Sequence, residues 1–163
     1  MEFLLRAALI GIGATLLIDL WALALNRLFG VRSLDYALVG RWIGHMADGR
    51  FRHVSIAQAA PVPGESVIGW SAHYAIGVIF AGILLVAAGA DWARQPTLLP
   101  ALAVGIASVV APFFIMQPGL GLGIAASKAP NPAIARGRSL MTHTVFGIGL
   151  YVSAMIAARL IEA

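Results

Sequence analysis

One uncharged stretch of the chain reads VIGWSAHYAIGVIFAGILLVAAGA (residues 67–90) and is longer than the roughly 20 apolar residues that cross a bilayer as a helix. Three further stretches have this apolar character, at residues 3–25, 98–117 and 139–158. Hydrophobic residues make up 60% of the 163 residues and charged residues only 11%, against about a quarter in soluble domains. The sequence therefore predicts one all-α domain over residues 1–163, an integral membrane bundle of four transmembrane helices.

Basic residues are concentrated in two segments between the apolar stretches. Of the 11 Lys and Arg residues, five lie within residues 26–66 and three within residues 118–138. Lys and Arg accumulate in the cytoplasmic loops of membrane proteins. We therefore expect both segments to be cytoplasmic loops and both termini to lie outside. This placement explains the net charge of +4 without nucleic acid as a partner.

Composition also limits the chemistry of the chain. Cysteine is absent, which excludes disulfides, thiolate metal sites and thiol nucleophiles. No serine lies in a nucleophile-elbow context, and no glycine loop carries the lysine of a phosphate-binding loop. An enzyme is therefore not favoured, and any redox chemistry requires a borrowed cofactor.

The first apolar stretch has a second interpretation as a signal peptide. Residues 22–24 read ALA, a small-x-small pattern that resembles a cleavage site after an apolar run. Asp19 interrupts the run, however, and residues 1–5 carry no cation. We therefore expect the first span to be retained.

Polar side chains fall at similar depths in the four predicted spans. They are Asp19, His73, Gln117 and His143. With a helical rise of about 1.5 Å per residue, each lies in the cytoplasmic third of its span. Ionisable groups inside a membrane are rare and mark functional sites by default. The sequence thus predicts a ligand-binding or proton-relay layer built from these four residues.

Several chemistries fit this layer. An acid beside a neutral imidazole can relay a proton. Asp19, His73 and His143 can together hold a divalent metal ion, and the two histidines alone can ligate a haem iron. The leading hypothesis is that the layer binds or moves a cation, a proton or a small polar solute. The alternatives are a haem- or metal-binding redox protein and a non-catalytic accessory subunit of a membrane complex, with the layer residues joining helices by hydrogen bonds.

The first predicted loop contains an amphipathic segment, LDYALVGRWIGHM (residues 34–46). Ser33 is the expected N-cap of a helix there. The segment is mostly apolar, and Trp42 is of the type that anchors helices in the headgroup region. We therefore predict an interfacial helix in this loop.

Charged and polar residues on this helix suggest a second group. Arg41, His45 and Asp48 follow one another at i, i+4 and i+7, which predicts one polar stripe. Glu65 stands at the entrance of the second span, where an acid suits the helix dipole. Arg41, His45 and Glu65 are therefore a candidate cytoplasmic cap over the layer, with lipid headgroup contact as the alternative.

The end of the third span contains helix-breaking residues, in APFFIMQPGLGLGIAAS (residues 111–127). Pro112 removes the hydrogen bond to the Ser108 carbonyl and predicts a kink. Pro118 and Gly119 are expected to bend or stop the helix again. The broken backbone either lines the polar layer, as in transporters, or simply allows close helix packing.

Short internal matches suggest a repeat. The pattern H-x-x-Φ-G-Φ (Φ, apolar) occurs at residues 73–78 and 143–148, and IGIGATL (residues 10–16) is similar to VGIASVV (residues 104–110). Equivalent spans run in the same direction, which predicts a parallel two-plus-two repeat. Because four helices make a thin wall for a pore, a homodimer through the small residues of these strings is also expected.

Four strings of the chain resemble a bacterial family of small inner-membrane proteins that is catalogued as a domain of unknown function. They are GRWIGHM (residues 40–46), PVPGESVIGWSAHYAIG (residues 61–77), WARQPTLLPAL (residues 92–102) and APFFIMQPGLGLGIAASKAPNP (residues 111–132). The resemblance covers nearly the whole chain and implies a four-span protein of the bacterial inner membrane. It implies no activity, cofactor or site residue.

Overall fold

The structure, a computed structural model, describes residues 1–162, which contain helices and connecting segments only. Six α-helices follow one another: α1 (Glu2–Phe29), α2 (Tyr36–Met46), α3 (Glu65–Arg94), α4 (Leu98–Ala107), α5 (Gln117–Leu120) and α6 (Pro132–Glu162). Short 3-10 turns cover Ile56–Gln58 and Ile124–Ala126, and a π-helical segment covers Pro112–Met116. The predicted all-α fold is confirmed.

Four helical stretches are long and apolar enough to cross a bilayer. They are Glu2–Phe29, Glu65–Arg94, Leu98–Leu120 and Pro132–Ile161, with 28, 30, 23 and 30 residues. Each contains one of the predicted apolar stretches. Large apolar side chains are exposed along all four, including Leu16, Ile79, Leu99 and Ile156, and such a surface suits lipid. The chain is therefore a membrane protein with four spans.

Residue contacts divide the chain into two compact units. Unit 1 comprises Met1–Ser33, Tyr74–Ser108 and the chain from Met141 onward, and unit 2 comprises Leu34–His73 and Val109–Leu140. Each unit has a hydrophobic cluster of its own. Three of the four spans supply residues to both units, namely α3, the third span and α6, whereas α1 lies entirely in unit 1.

Small residues bring the helices of unit 1 into close contact. Gly11 of α1 lies directly against Val78 of α3, so that an added Cβ would overlap the valine Cα. Gly105 of α4 lies in the same way against Gly147 of α6. Gly11 and Gly105 hold matching positions in the two repeated strings, and the H-x-x-Φ-G-Φ pattern supplies the partner in each case. This correspondence supports the two-plus-two repeat.

The end of α3 is shaped by Gly89, whose φ of 85° and ψ of 175° interrupt the helix. The last turn of α3 follows this break. There the Ala93 carbonyl accepts a hydrogen bond from Arg6 Nη1 at 2.9 Å. The Trp92 indole N–H donates to the Thr97 carbonyl at 3.1 Å. These two bonds fix the connection between the second and third spans.

The start and end of α2 differ from the sequence prediction. Asp35, and not Ser33, is the N-cap, because its Oδ1 accepts a hydrogen bond from the Ala37 N–H at 2.9 Å. The helix ends at Met46, so Asp48 lies in the following turn. The predicted polar stripe therefore contains only Arg41 and His45.

Trp42 of α2 is also placed differently from the expected interfacial anchor. It is 8% exposed and belongs to the core of unit 2 with Ile56 and Leu120. Its indole N–H donates to the Phe51 carbonyl at 2.9 Å, and its ring lies against Gly119, where a Cβ would be 2.5 Å from Nε1. Burial of the ring with its N–H satisfied outweighs exposure to headgroups.

The third span is broken where the prolines predict it. α4 ends at Ala107, Pro112–Met116 is π-helical, and the Gln117 N–H donates to the Pro112 carbonyl, five residues back. α5 then ends at Leu120 and is capped by Gly121, which has a φ of 95°. The kink is therefore spread over a wide turn, which relieves the clash that a proline causes in a regular helix.

Candidate functional site

Asp19 lies on the face of α1 that packs against α3. Gly11, Thr15 and Asp19 are four residues apart, so they follow one another along this face. Thr15 is buried against Gly77, and its hydroxyl donates to the Gly11 carbonyl at 2.7 Å. One turn later, Asp19 Oδ2 accepts a hydrogen bond from the Tyr74 hydroxyl at 2.8 Å. The carboxylate is thus held at a helix interface inside a span.

His143 occupies a comparable position between α4 and α6. Its Nδ1 lies 2.6 Å from Ser108 Oγ, and the same hydroxyl donates to the Gly105 carbonyl at 2.6 Å. A serine hydroxyl has one proton, so Ser108 must accept from His143, and Nδ1 must carry the hydrogen. In the neutral ring, Nε2 then holds the lone pair. This nitrogen can accept a proton or ligate a metal.

The two pairs have related positions in the repeat. Tyr74 precedes Gly77 by three residues, and His143 precedes Gly147 by four, so each lies one turn before the glycine of its close helix contact. Sequence reasoning singled out His73 and missed its neighbour Tyr74. The sequence signal that could have identified Tyr74 is its position three residues before Gly77, the glycine at which α3 contacts α1.

His73 lies in unit 2, among aromatic rings. Its ring stacks on Tyr36 at a centroid distance of 4.1 Å and an interplanar angle of 30°. Trp70 lies edge-on to it at 5.8 Å. The imidazole is thus packed against two aromatic rings in the first half of α3.

Gln117 lies in unit 2 at the junction of the π-helical segment and α5. The residue is 5% exposed. Its Nε2 donates to Ser139 Oγ at 3.3 Å, whereas its Oε1 has no hydrogen-bond partner among residues 1–162. A buried amide oxygen without a partner is costly unless a water molecule or ligand satisfies it. Gln117 therefore fits the predicted binding role, although the common layer of four residues stays a prediction.

The candidate cap contains one tight ion pair. Arg41 donates through Nε and Nη2 to the two Glu65 carboxylate oxygens, both at 2.8 Å. Glu65 Oε2 also accepts from the Val62 N–H at 3.0 Å, and Arg41 Nη1 donates to the Ala59 carbonyl at 3.2 Å. The hydrogen bond that Arg41 donates to Glu65 raises the pKa of Arg41 above its ordinary value. These contacts tie α2 to the start of α3.

His45 does not join this ion pair and contacts a second histidine instead. Its Nδ1 lies 2.8 Å from His53 Nε2, and its Nε2 lies 3.0 Å from the Ala60 carbonyl. His53 Nδ1 lies 3.3 Å from the Gly119 carbonyl. Sequence reasoning missed His53. The available signal was Gly49, a turn glycine with a φ of 73° that stands four residues from each histidine.

A metal ion would need a cluster of suitable ligands. Among residues 1–162, no three His, Cys, Asp or Glu side chains are grouped closely enough to hold one. The divalent-metal alternative for Asp19, His73 and His143 thus gains no support from the described residues. Haem ligation by His73 and His143 stays a prediction.

Comparison with known protein families gives one match, over residues 8–157, to a family described as "Protein of unknown function (DUF2938)". The chain belongs to this family. The DUF2938 match extends from α1 to α6 and includes every candidate site residue. It confirms the resemblance to a domain-of-unknown-function family that the four sequence strings indicated. No curated protein and no solved structure matches the chain.

Proposed function

We propose that this DUF2938 protein resides in the bacterial inner membrane and binds and relays protons, alone or together with a small cation or polar solute. The observation that carries the proposal is the hydrogen bond between Asp19 and Tyr74 within the apolar spans. A carboxylate costs several kcal/mol at the centre of a bilayer by insertion scales, about 2.5–3.5 kcal/mol. Helix association alone can be achieved with much cheaper polar groups.

Tyr74 and Asp19 form an acid pair suited to proton transfer. The Tyr74 hydroxyl donates a hydrogen bond to the ionised Asp19 carboxylate. When a proton arrives at Asp19, the carboxyl group becomes a donor and the Tyr74 oxygen can accept. Both residues are half-buried, which allows exchange with a passing proton carrier. Asp19 would be the primary proton acceptor, and Tyr74 would position its carboxylate.

His143 supplies a second proton-accepting group. With Nδ1–H directed to Ser108, the lone pair on Nε2 is available for a proton. Gln117, with its unsatisfied amide oxygen, would contribute an acceptor for a hydrated proton or a polar solute. In this proposal Asp19 and His143 accept the protons, and His73 and Gln117 are polar groups that a proton or solute can contact.

Proton flux into vesicles tests the proposal. The purified protein is placed in liposomes that contain a pH-sensitive dye, and a membrane potential is imposed. We expect Asp19→Asn to lower the flux about tenfold or more, equivalent to about 1.4 kcal/mol. The matched control is Asp91→Asn, since the Asp91 side chain is fully exposed at the end of α3, and it should behave as wild type. Equal flux in wild type, Asp19→Asn and empty liposomes would contradict the proposal.

The redox alternative is tested on the same preparation. An optical spectrum and an elemental analysis of the detergent-purified protein report haem and bound metal directly. A Soret band that is lost in His143→Gln would favour ligation through Nε2 over proton relay. A spectrum without a Soret band and a preparation without stoichiometric metal leave the proton proposal standing.

A further inference from the structure

His45 and His53 form a chain of hydrogen bonds with a backbone carbonyl at each end. The order is Ala60 carbonyl, His45, His53, Gly119 carbonyl, with contacts of 3.0, 2.8 and 3.3 Å. A carbonyl can only accept a hydrogen bond. The outer ring nitrogens, His45 Nε2 and His53 Nδ1, must therefore both carry hydrogen.

The two inner nitrogens determine the charge of the pair. His45 Nδ1 and His53 Nε2 are 2.8 Å apart, which is the distance of a hydrogen bond and not of two facing lone pairs. One of them must carry a hydrogen as well. The four ring nitrogens thus hold three protons, whereas two neutral imidazoles hold two.

We propose that His45 and His53 together constitute a proton-binding site that holds one additional proton between the two rings. The bound proton keeps the segment around His53 attached to Gly119 in the broken part of the third span. This inference is independent of the proposed function, because it uses none of the residues assigned to the relay.

The charged groups around the pair are compatible with a single positive charge. His45 is 5% exposed and belongs to the same helix as Arg41, one turn away. Arg41 is neutralised by Glu65 at the start of α3. The segment after α2 carries only exposed charges, and α5 carries no charged side chain. The exposed charges are Asp48, Arg50 and Arg52.

Loss of the shared proton has a defined structural consequence. Two neutral imidazoles carry only two ring hydrogens, so the pair can then make only two of its three hydrogen bonds. The contact to the Gly119 carbonyl is the longest of the three, so it is the first to be given up. His53 would then present a lone pair to that carbonyl, and the backbone bond from the His53 N–H to the same oxygen, 3.0 Å long, would weaken. Residues next to Gly119 would be released.

Nitrogen NMR of the full-length protein in lipid nanodiscs tests the shared proton. With ¹⁵N-labelled histidine, a hydrogen bond between the rings produces a ¹⁵N–¹⁵N coupling that links His45 Nδ1 to His53 Nε2. At about pH 5.5 the two rings should hold three protons, and at about pH 9 they should hold two, within the range in which histidines change charge. Rings without this coupling at about pH 5.5, or with two protons at both pH values, would overturn the inference.

Amide hydrogen exchange tests the attachment to Gly119. After correction for the intrinsic pH dependence, the His53 amide should exchange about tenfold faster at about pH 9 than at about pH 5.5. His53→Gln removes the titrating ring and should abolish this difference. Asp48→Asn, at an exposed site in the same turn, should retain it. An equal pH effect in wild type and His53→Gln would contradict the proposed role, and because the coupling is measured in wild type, a poorly folded variant does not weaken the test.

Discussion

At the scale of single residues, the spans hold their polar groups by hydrogen bonds between neighbouring helices. Asp19 is held by Tyr74 and His143 by Ser108. In lipid, such bonds are worth about 0.6 kcal/mol on average, because the separated helices find other partners for the same groups. These hydrogen bonds therefore add little to the stability of the fold. Their larger effect is to orient the ionisable side chains of Asp19 and His143.

Removal of the Tyr74 hydroxyl should have a small effect on stability that depends on Asp19. We expect Tyr74→Phe to lower the free energy of unfolding in detergent by about 0.6 kcal/mol, and by much less when Asp19 is already Ala, which has no acceptor for the hydroxyl. A double-mutant cycle with denaturant unfolding measures this coupling. Tyr151→Phe, a change of the same size next to the unit 1 core, is the control and should show no coupling to Asp19. Independent effects of Tyr74→Phe and Asp19→Ala would mean that the hydrogen bond contributes nothing.

Two contact residues could not be read from composition or hydropathy. Tyr74 and His73 are adjacent, and the rotation of the helix about its axis determines which of them faces the partner helix. An apolar span with little amphipathicity does not specify this rotation. His53 lies in a loop, and its meeting with His45 depends on the turn at Gly49. Polarity and depth did single out Asp19 and Gln117 as candidate site residues, because a polar side chain is easily recognised in an apolar run.

At the scale of helices, glycines set how closely the spans approach. Gly147 of α6 would place a Cβ 2.9 Å from the Leu102 Cα, and Gly105 of α4 has the Gly147 backbone directly opposite. These neighbours are backbone atoms, which cannot rotate aside as a flexible side chain can. The close approach also brings Ser108 within hydrogen-bond distance of His143.

Alanine at these glycines should destabilise the protein. We expect Gly105→Ala and Gly11→Ala each to lower the free energy of unfolding by about 1–3 kcal/mol, the range for overpacked sites. Gly137→Ala in α6 is the matched control, since no atom lies within 4 Å of its added Cβ. It should be neutral or stabilise by up to about 1 kcal/mol. Thermal unfolding of the four proteins makes the comparison, and a similar loss in Gly137→Ala would show that close approach is not the cause.

The ends of the four membrane spans lie within four residues of their predicted positions, except that α6 begins at Pro132, seven residues before the predicted start at residue 139. Hydropathy acts over a whole span, and each predicted apolar stretch lies inside one observed span, although the third span is broken between α4 and α5. The boundary of α2 was less predictable, because Ser33 and Asp35 are both good N-caps and the fold decides between them. The outward orientation expected for Trp42 was also wrong. The sequence pattern of a surface helix does not reveal that the ring packs against Gly119 of α5.

At the scale of the whole molecule, orientation in the membrane follows from the distribution of Lys and Arg. Eight of the 11 basic residues lie between residues 26 and 66 or between residues 118 and 138. By the positive-inside rule, a charge bias of this size predicts that both segments lie in the cytoplasm. The N-terminus, the C-terminus and the connection between the second and third spans would then face the other side.

Site-directed labelling can establish this orientation on a clean background, because the natural chain has no cysteine. Arg52→Cys and Asp91→Cys place single thiols at exposed positions in the two kinds of loop. A membrane-impermeant maleimide added to intact spheroplasts should label Asp91→Cys fully and Arg52→Cys only after lysis. The reverse pattern would invert the topology, and with it the side from which His73 is reached.

The π-helical segment Pro112–Met116 has a consequence for chain length. A π turn takes up one residue more than an α turn, so the third span holds one residue that a regular helix would not need. If the segment instead wound into ordinary α turns with that residue kept, the helix after it would rotate by about 100°. Gln117 would then turn away from Ser139, and the buried amide would leave the position it now occupies. The wide turn therefore sets the direction of Gln117, and a change that closed it into α turns would redirect the side chain without altering its chemistry.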